Sequence, residues 1–146
     1  MGMDQDAKLA EVLAVNEHFY DVFRSGDFAA MDEMWSRRED VSVYHPDWPG
    51  ITGREDVMAS WHRLMISNDP PAVFVRDPMV VREGRVAVVF CFEDVEGSTM
   101  TASNVFVKED GVWKITSHHA RPLPQLGEGS DDDEAGDAGG TGDGAA

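Results

Sequence analysis

The second half of the chain carries four apolar runs separated by short turn segments, and this pattern constrains the fold most. The runs cover residues 72–82, 85–95, 99–108 and 112–119, and the connections read Glu-Gly, Glu-Gly-Ser and Glu-Asp-Gly. Short connections rich in glycine and acidic residues typically join antiparallel neighbours. The sequence therefore predicts a four-stranded antiparallel meander, with a bulge or an edge position at Pro78 in its first strand.

Three helices are predicted before this meander. The first has a buried stripe at helical spacing, made of Leu9, Val12, Leu13, Asn16, Phe19, Tyr20 and Phe23. It starts near Asp4 or Asp6 and stops at Gly26, and Asp27 suits the N-cap of a second, shorter helix. Thr52 and Glu55 have the spacing of a capping box, which predicts the start of a third helix.

One short strand is predicted between the second and third helices. Residues 41–45 alternate between apolar and polar side chains, and residues 46–50 contain two prolines and a glycine, which indicates a turn. The element order predicts an α+β fold in which the helices cover one face of the sheet. Residues 86–92 are apolar on both faces of their strand. We therefore expect a second subunit to cover the other face.

Charge divides the 146-residue chain into two parts. The whole chain has 28 acidic and 12 basic residues, a net charge of -16, but residues 127–146 contribute seven acidic residues and no base. We predict a single domain over residues 1–126 and a disordered acidic tail over 127–146. The acidic balance excludes nucleic acid and anionic membrane surfaces as expected partners. With no signal or membrane-spanning pattern, a cytoplasmic location is expected.

Three segments carry a resemblance to a known family. Residues 19–31, 52–61 and 110–115 resemble the nuclear transport factor two-like superfamily, in particular its SnoaL-like branch, over residues 8–122. The resemblance implies an α+β cone, in which a barrel-like, curved, mostly antiparallel sheet is wrapped by three N-terminal helices around one deep pocket. It also implies a homodimer. Members range from isomerases, dehydratases and cyclases to non-catalytic binding or assembly domains, so the fold leaves the chemistry open.

The ketosteroid isomerases of this superfamily offer a comparison of site residues. Their catalytic Asp precedes a proline at the end of the first strand, and this sequence has His45 before Pro46. Their first-helix tyrosine matches Phe19, with Tyr20 one residue away and about 100° around the helix. Their late-strand aspartate matches Asn104. The resemblance thus implies His45 as general base and Asn104 as an oxyanion donor, with the tyrosine lost, which argues against steroid isomerisation.

Three histidines are candidate site residues. His45 shares a strand face with two valines, so we expect it to point inward as a base, or else to be a strand-end histidine bonded to a backbone carbonyl. His118 and His119 are adjacent in a strand and must face opposite sides. Because His119 alternates with Trp113 and Ile115, we expect it in the pocket, where it would orient an oxyanion, with His118 at the opposite surface. The alternative is that both are solvent-facing.

The remaining candidates are residues expected to bind the ligand: Asn16, Tyr20, Trp48, Arg54 and Trp61. Asn16 is polar within an apolar helix stripe, and Trp48 follows His45 in a loop that could close over the pocket or pack on the surface. Arg54 opposes the dipole of the third helix, which suggests a carboxylate partner. His45, Asp47 and His119 offer zinc-ligand chemistry, but no ligand spacing supports a metal site, and no cofactor is expected.

Two function hypotheses remain open from the sequence. The first is a small-molecule pocket protein that binds a small apolar or carbonyl-containing compound, and acts as an isomerase, cyclase or dehydratase through His45. The second is a non-catalytic module that binds a ligand or assembles with other proteins. An open pocket lined with polar groups would favour the first hypothesis, and a filled, dry interior would favour the second.

Overall fold

Helices and strands alternate with short turns through residues 2–67 and 72–124, the part of the chain that the computed structural model describes. The predicted acidic tail lies outside these residues and stays a prediction. The elements are α1 (Gly2–Ser25), α2 (Phe28–Met34), β1 (Ser42–Tyr44), β2 (Ile51–Thr52), α3 (Arg54–Met65), β3 (Val73–Glu83), β4 (Val86–Val95), β5 (Ser98–Glu109) and β6 (Val112–Pro122).

The predicted helix caps are present between α1 and α2 but absent at the start of α3. Gly26 adopts a positive φ of 74° after α1, and the Asp27 carboxylate caps α2 by accepting from the backbone N–H of Ala30, as predicted. The predicted capping box at α3 is wrong. Thr52 is held in β2, where it pairs with β1, so Gly53 occupies the N-cap with a φ of 94° and no side-chain cap.

The six strands of the described chain form one curved, unclosed sheet in the order β2-β1-β6-β5-β4-β3. Strands β3 to β6 form the predicted antiparallel meander. The register shifts between Arg76 and Met79, which confirms the bulge predicted at Pro78. Strand β1 pairs in parallel with β6, so the first strand of the chain lies beside the last one. This pairing places His45, the residue after β1, in the interior.

A second bulge, in β6, changes which side chains face the interior. Val105 pairs with Ser117 and Phe106 pairs with Ile115, so Thr116 is one extra residue in the strand. An inserted residue reverses the alternation of side chains beyond it. Ile115 is buried before the bulge, whereas His118 is buried and His119 is exposed after it. The prediction that His119 faces the pocket and His118 the opposite surface was therefore wrong.

The hydrophobic core lies between the helices and one face of the sheet, which we call the inner face. The opposite, outer face leaves apolar side chains exposed, including Met79 at 62%, Val81 at 57% and Phe90 at 46%. The prediction that this part of the sheet is apolar on both faces is confirmed. None of the described helices has both the length and the apolar content to cross a membrane.

Candidate functional site

A cavity of about 160 Å³ opens between the helices and the inner face of the sheet. Its lining is mostly apolar, with three titratable side chains among Phe23, His45, Pro46, Trp48, Leu64, Val73, Glu93, Val95, Met100 and His118. A larger surface depression of about 660 Å³ lies beside it and shares Met100, but its titratable side chain is the exposed Asp47. The smaller cavity is therefore the candidate site, because it alone of the two combines burial with convergent titratable groups.

Four buried side chains from four elements form a ring of polar contacts beside this cavity, which we call the polar ring: Tyr20, Glu93, Asn104 and His118. The Tyr20 hydroxyl donates to Glu93 Oε2 at 2.6 Å, and Asn104 Nδ2 donates to the Tyr20 hydroxyl at 3.2 Å. His118 Nδ1 lies 2.6 Å from Asn104 Oδ1, and His118 Nε2 lies 3.7 Å from Glu93 Oε2. Asn104 Nδ2 also donates to Asn16 Oδ1 at 2.9 Å.

The strand register explains how these groups meet. Asn104 in β5 is the direct cross-strand partner of His118 in β6. Between this pair and Glu93, the inner face carries a row of small buried side chains, where Cys91 pairs with Ala102 and Ala102 pairs with Ala120. Small residues in this row leave room for longer polar side chains to lean together above the sheet.

Burial controls the protonation of the polar ring. Loss of hydration raises the pKa of Glu93 to about 7, although the hydrogen bond from Tyr20 acts in the opposite direction. Burial also raises the pKa of the Tyr20 hydroxyl well above its usual value. The pKa of His118 is held well below its usual value by burial and by the neighbouring His45. Near neutral pH, Tyr20 and His118 are therefore uncharged and Glu93 is close to half protonated.

His45 reaches the same cavity from the other side. It follows β1 directly, is 2% exposed, and places Nε2 at 3.0 Å from the Ser60 hydroxyl of α3. Its ring packs edge-on against Trp61 with centroids 4.7 Å apart, and its centroid is 6.3 Å from that of His118. Burial lowers the pKa of His45 to about 4, so the imidazole is neutral at physiological pH.

Some predicted site residues meet at this place. Asn16 and Asn104 are buried and bonded to each other behind the lining residues. Tyr20, expected to bind the ligand, is buried with its hydroxyl in the polar ring, one residue from the position matched to the first-helix tyrosine of the isomerases. Phe19, the position matched to that tyrosine, is also buried but lacks a hydroxyl. Both adjacent residues are buried because the face of α1 that packs into the core is wide.

The other predicted site residues are divided between the cavity and positions away from it. Trp48 lines the cavity and packs against His45 with centroids 5.0 Å apart. Trp61 packs edge-on against His45 and does not itself line the cavity. Arg54 does find a carboxylate, but within the chain: its Nη1 donates to Asp32 Oδ1 at 3.0 Å, and its other nitrogens donate to backbone carbonyls at the end of α2. Arg54 therefore joins α3 to α2 and does not line the cavity.

Two titratable lining residues, Glu93 and His118, were not predicted as cavity residues. Glu93 continues a buried alternation of Ala87, Val89 and Cys91 along β4, and this period-two pattern was the available signal. His118 was assigned to the wrong face because of the bulge at Thr116. His119 lies on the outer face, with Nε2 at 3.2 Å from the Ser42 hydroxyl.

The structure also bears on metal binding. Within residues 2–67 and 72–124, no group of three or more histidine, cysteine, aspartate or glutamate side chains is arranged to hold a metal ion. His45 and His119, two of the ligands considered above, lie on opposite faces of the sheet.

Comparison with known proteins gives a consistent result. A family model described as the SnoaL-like domain matches residues 12–123. A candidate dehydratase of the NTF2-like family from Streptomyces avermitilis is 30% identical, with a TM-score of 0.77 over 83% of this chain and 99% of its own. No curated protein sequence matches the chain.

Two further solved structures share the fold at lower identity. A candidate calcium/calmodulin-dependent protein kinase type II association domain from Thiobacillus denitrificans is 24% identical, with a TM-score of 0.70 over 76% of this chain and 94% of its own. An NTF2-like protein with a cystatin-like fold from Novosphingobium aromaticivorans is 20% identical, with a TM-score of 0.66 over 86% of this chain and 89% of its own.

Proposed function

Since this chain belongs to the SnoaL-like domain family of the NTF2-like superfamily, we propose that it is an acid–base enzyme of the dehydratase type, acting on a small uncharged molecule. The observation that carries the proposal is the convergence of His45, Glu93 and His118 on one largely apolar cavity. A neutral imidazole and a carboxyl group with a pKa near 7 form an acid and a base that coexist at neutral pH.

The proposed reaction removes water from a β-hydroxy carbonyl compound. The neutral His45 takes a proton from the carbon next to the carbonyl, and the electrons of that C–H bond form the new C=C bond. Protonated Glu93 donates its proton to the hydroxyl group as the C–O bond breaks, and water leaves. The proton on His45 then returns through water to Glu93, which restores both groups.

The size and charge of the cavity support a small, neutral substrate. A cavity of about 160 Å³ is close to the volume that encloses a benzene ring in other proteins, about 150 Å³. The cavity-lining residues of the described chain include no lysine or arginine. A carboxylate on the ligand would therefore be desolvated beside Glu93 without a compensating cation. The similar candidate dehydratase supports elimination over the alternative chemistries.

A direct assay uses 3-hydroxycyclohexanone, a one-ring β-hydroxy ketone that loses water to give the ultraviolet-absorbing 2-cyclohexenone. We expect His45→Ala and Glu93→Gln to lower kcat/KM by about 100-fold or more, as removal of a general base or acid does. His18→Ala is the matched control, since His18 is an exposed histidine on α1 and should keep the wild-type rate. Equal rates for His45→Ala and wild type would overturn the assignment of the base.

The alternative function, an assembly module, is favoured by the outer face of the sheet. Met79, Val81 and Phe90 expose a contiguous apolar surface there, and Phe90 is the cross-strand partner of Met79. We propose that a second copy of this chain covers this face, which makes the protein a homodimer. The association domain with the same fold supports assembly of this kind. Pairing through the outer face leaves the cavity on the inner face free, so both functions are compatible.

A further inference from the structure

We infer that Ser60 and Asn104 hold the two cavity histidines in opposite tautomers, so that both present bare ring nitrogens to the cavity, and that the ligand is consequently a small uncharged alcohol rather than a ligand that only accepts hydrogen bonds. This inference rests on the proposed function, because it takes the same cavity as the ligand-binding site and names the class of ligand. It holds whether the reaction in that cavity is dehydration or another one.

The tautomer of His118 follows from the donors around Asn104. The amide nitrogen of Asn104 has two hydrogens, and they are directed to Asn16 Oδ1 and the Tyr20 hydroxyl. The amide oxygen of Asn104 therefore faces His118 Nδ1 at 2.6 Å, and an oxygen can only accept. His118 must carry its proton on Nδ1, which leaves Nε2 bare beside Glu93.

The tautomer of His45 follows from Ser60. The Ser60 hydroxyl has one hydrogen, and it donates to the backbone carbonyl of Val57 at 2.7 Å. Its oxygen then accepts from His45 Nε2 at the longer distance of 3.0 Å. His45 therefore carries its proton on Nε2, and its bare Nδ1 has no hydrogen-bond partner among the described residues. Ser60 is a positioning residue for the proposed base.

Both bare nitrogens border accessible space. In the described part of the chain, the fully buried side-chain nitrogens and oxygens without a partner are the indole nitrogens of Trp35, Trp61 and Trp113. The unpartnered nitrogens of His45 and His118 do not belong to this set, and both residues line the cavity. The cavity thus offers two acceptors, together with one carboxyl group at Glu93 that carries at most one proton.

The balance of donors and acceptors selects the ligand. A ketone or ether brings acceptors only, so it leaves at least one histidine nitrogen desolvated and unpaired, which costs free energy. A hydroxyl group donates to one of these nitrogens and can also accept from protonated Glu93. An anionic ligand adds charge beside Glu93. The best match is a neutral, ring-sized molecule with at least one hydroxyl group.

The tautomers can be read from long-range ¹H–¹⁵N correlation spectra of the full chain labelled with ¹⁵N-histidine. We expect a protonated Nε2 on His45 and a protonated Nδ1 on His118 at neutral pH. Ser60→Ala should return His45 to a mixture of tautomers, whereas Ser67→Ala should change nothing. Ser67 is a matched control because its hydroxyl makes the same bond to a carbonyl three residues earlier, at Leu64. A protonated Nδ1 on His45 in the wild-type protein would overturn the inference.

The ligand class can be tested with cyclohexanol and cyclohexanone, which have the same number of heavy atoms and differ in the donor. We expect cyclohexanol to bind about tenfold more tightly by NMR titration, the ratio that one unpaired acceptor produces. The preference should fall in Ser60→Ala and persist in Ser67→Ala. Equal or tighter binding of cyclohexanone, or no binding of either probe, would overturn the ligand class. Tight binding of cyclohexanol without turnover of 3-hydroxycyclohexanone would instead contradict the proposed reaction alone.

Discussion

The carboxyl group of Glu93 is the one acid among the described residues that line the cavity, and its environment penalises its charge. It is 2% exposed and accepts one hydrogen bond from Tyr20, and none of the described lining residues is a lysine or arginine. An unpaired carboxylate in such a place is more stable when protonated, which is why its pKa rises to about 7. The cavity thus keeps an available proton at a pH where ordinary glutamates have lost theirs.

The raised pKa makes a prediction about stability. In the unfolded chain Glu93 loses its proton near pH 4.5, whereas the native protein keeps it until about pH 7. Because the unfolded state binds fewer protons in this window, the stability contributed by Glu93 falls as pH rises, by about 3 kcal/mol at roughly 1.4 kcal/mol per pKa unit. Glu93→Gln should lack this loss, since its amide does not titrate.

Urea unfolding of the wild-type protein and Glu93→Gln at pH 5 and pH 8 measures the effect. The lowered pKa values of His45 and His118 have the opposite effect, because their contribution to protein stability is lost as pH falls. Both histidines are present in both proteins, so this effect cancels in the comparison. The unfolding free energy of Glu93→Gln should therefore increase relative to that of the wild type as pH rises. A difference in unfolding free energy that is the same at both pH values would contradict the prediction.

Some individual site residues could be predicted from the sequence and others could not. His45 was visible from its alternation with Val41 and Val43, all three of which are buried. Glu93 could have been found by the same alternation along β4. The choice between His118 and His119 could not, because the extra residue at Thr116 leaves no mark in the local pattern.

The third helix positions Trp61 and Ser60 beneath His45, and Arg54 connects this helix to α2. The Arg54 side chain is 13% exposed and donates to the Asp32 carboxylate and to the backbone carbonyls of Asp32, Trp35 and Ser36. These carbonyls belong to the last turn of α2 and to the two residues that follow it. The arginine therefore supplies donors to carbonyls at the C-terminal end of α2 and ties α3 to it.

We predict that Arg54→Ala lowers the unfolding free energy by about 1–3 kcal/mol, because it leaves four partly buried acceptors unpaired. The matched control is Arg37→Ala, since Arg37 contacts the same Asp32 carboxylate but is 64% exposed. An exposed ion pair contributes at most about 1 kcal/mol. Urea unfolding of both variants is the measurement, and equal losses would contradict a structural role for the Arg54 contacts.

The elements themselves were largely predictable. Helical periodicity and strand alternation are local signals, so α1 to α3 and the meander appear in the sequence. Strand β2 and the parallel pairing of β1 with β6 were not predicted, because both depend on contacts between residues far apart in the chain. The failed capping box at Thr52 has the same cause, since pairing in β2 prevailed over the local preference.

The two faces of the single sheet differ in their surroundings. The inner face and the helices enclose the cavity, whereas the outer face exposes apolar side chains that a monomer would leave in water. The proposed homodimer would bury this outer face. It would also cover the cluster of Ser42, Ser117 and His119, which lies on the same face.

The dimer prediction is tested by sedimentation equilibrium. Phe90→Lys should shift the protein from dimer to monomer, because a lysine ammonium group buried between two sheets costs several kcal/mol. Ile66→Lys is the matched control, since Ile66 is 56% exposed but follows α3 instead of lying on the sheet. A wild-type protein that sediments as a monomer would contradict the proposed assembly.

The most direct test of the acid–base cavity is a ¹³C NMR titration of the Glu93 carboxyl carbon, assigned by its absence from the spectrum of Glu93→Gln. It needs no substrate and reports on the group that supplies the proton. We predict a midpoint of about pH 7, set by burial beside Tyr20 and His118. A midpoint near the ordinary value of 4.5 would show that the carboxyl group is ionised at neutral pH, and would contradict its role as the acid.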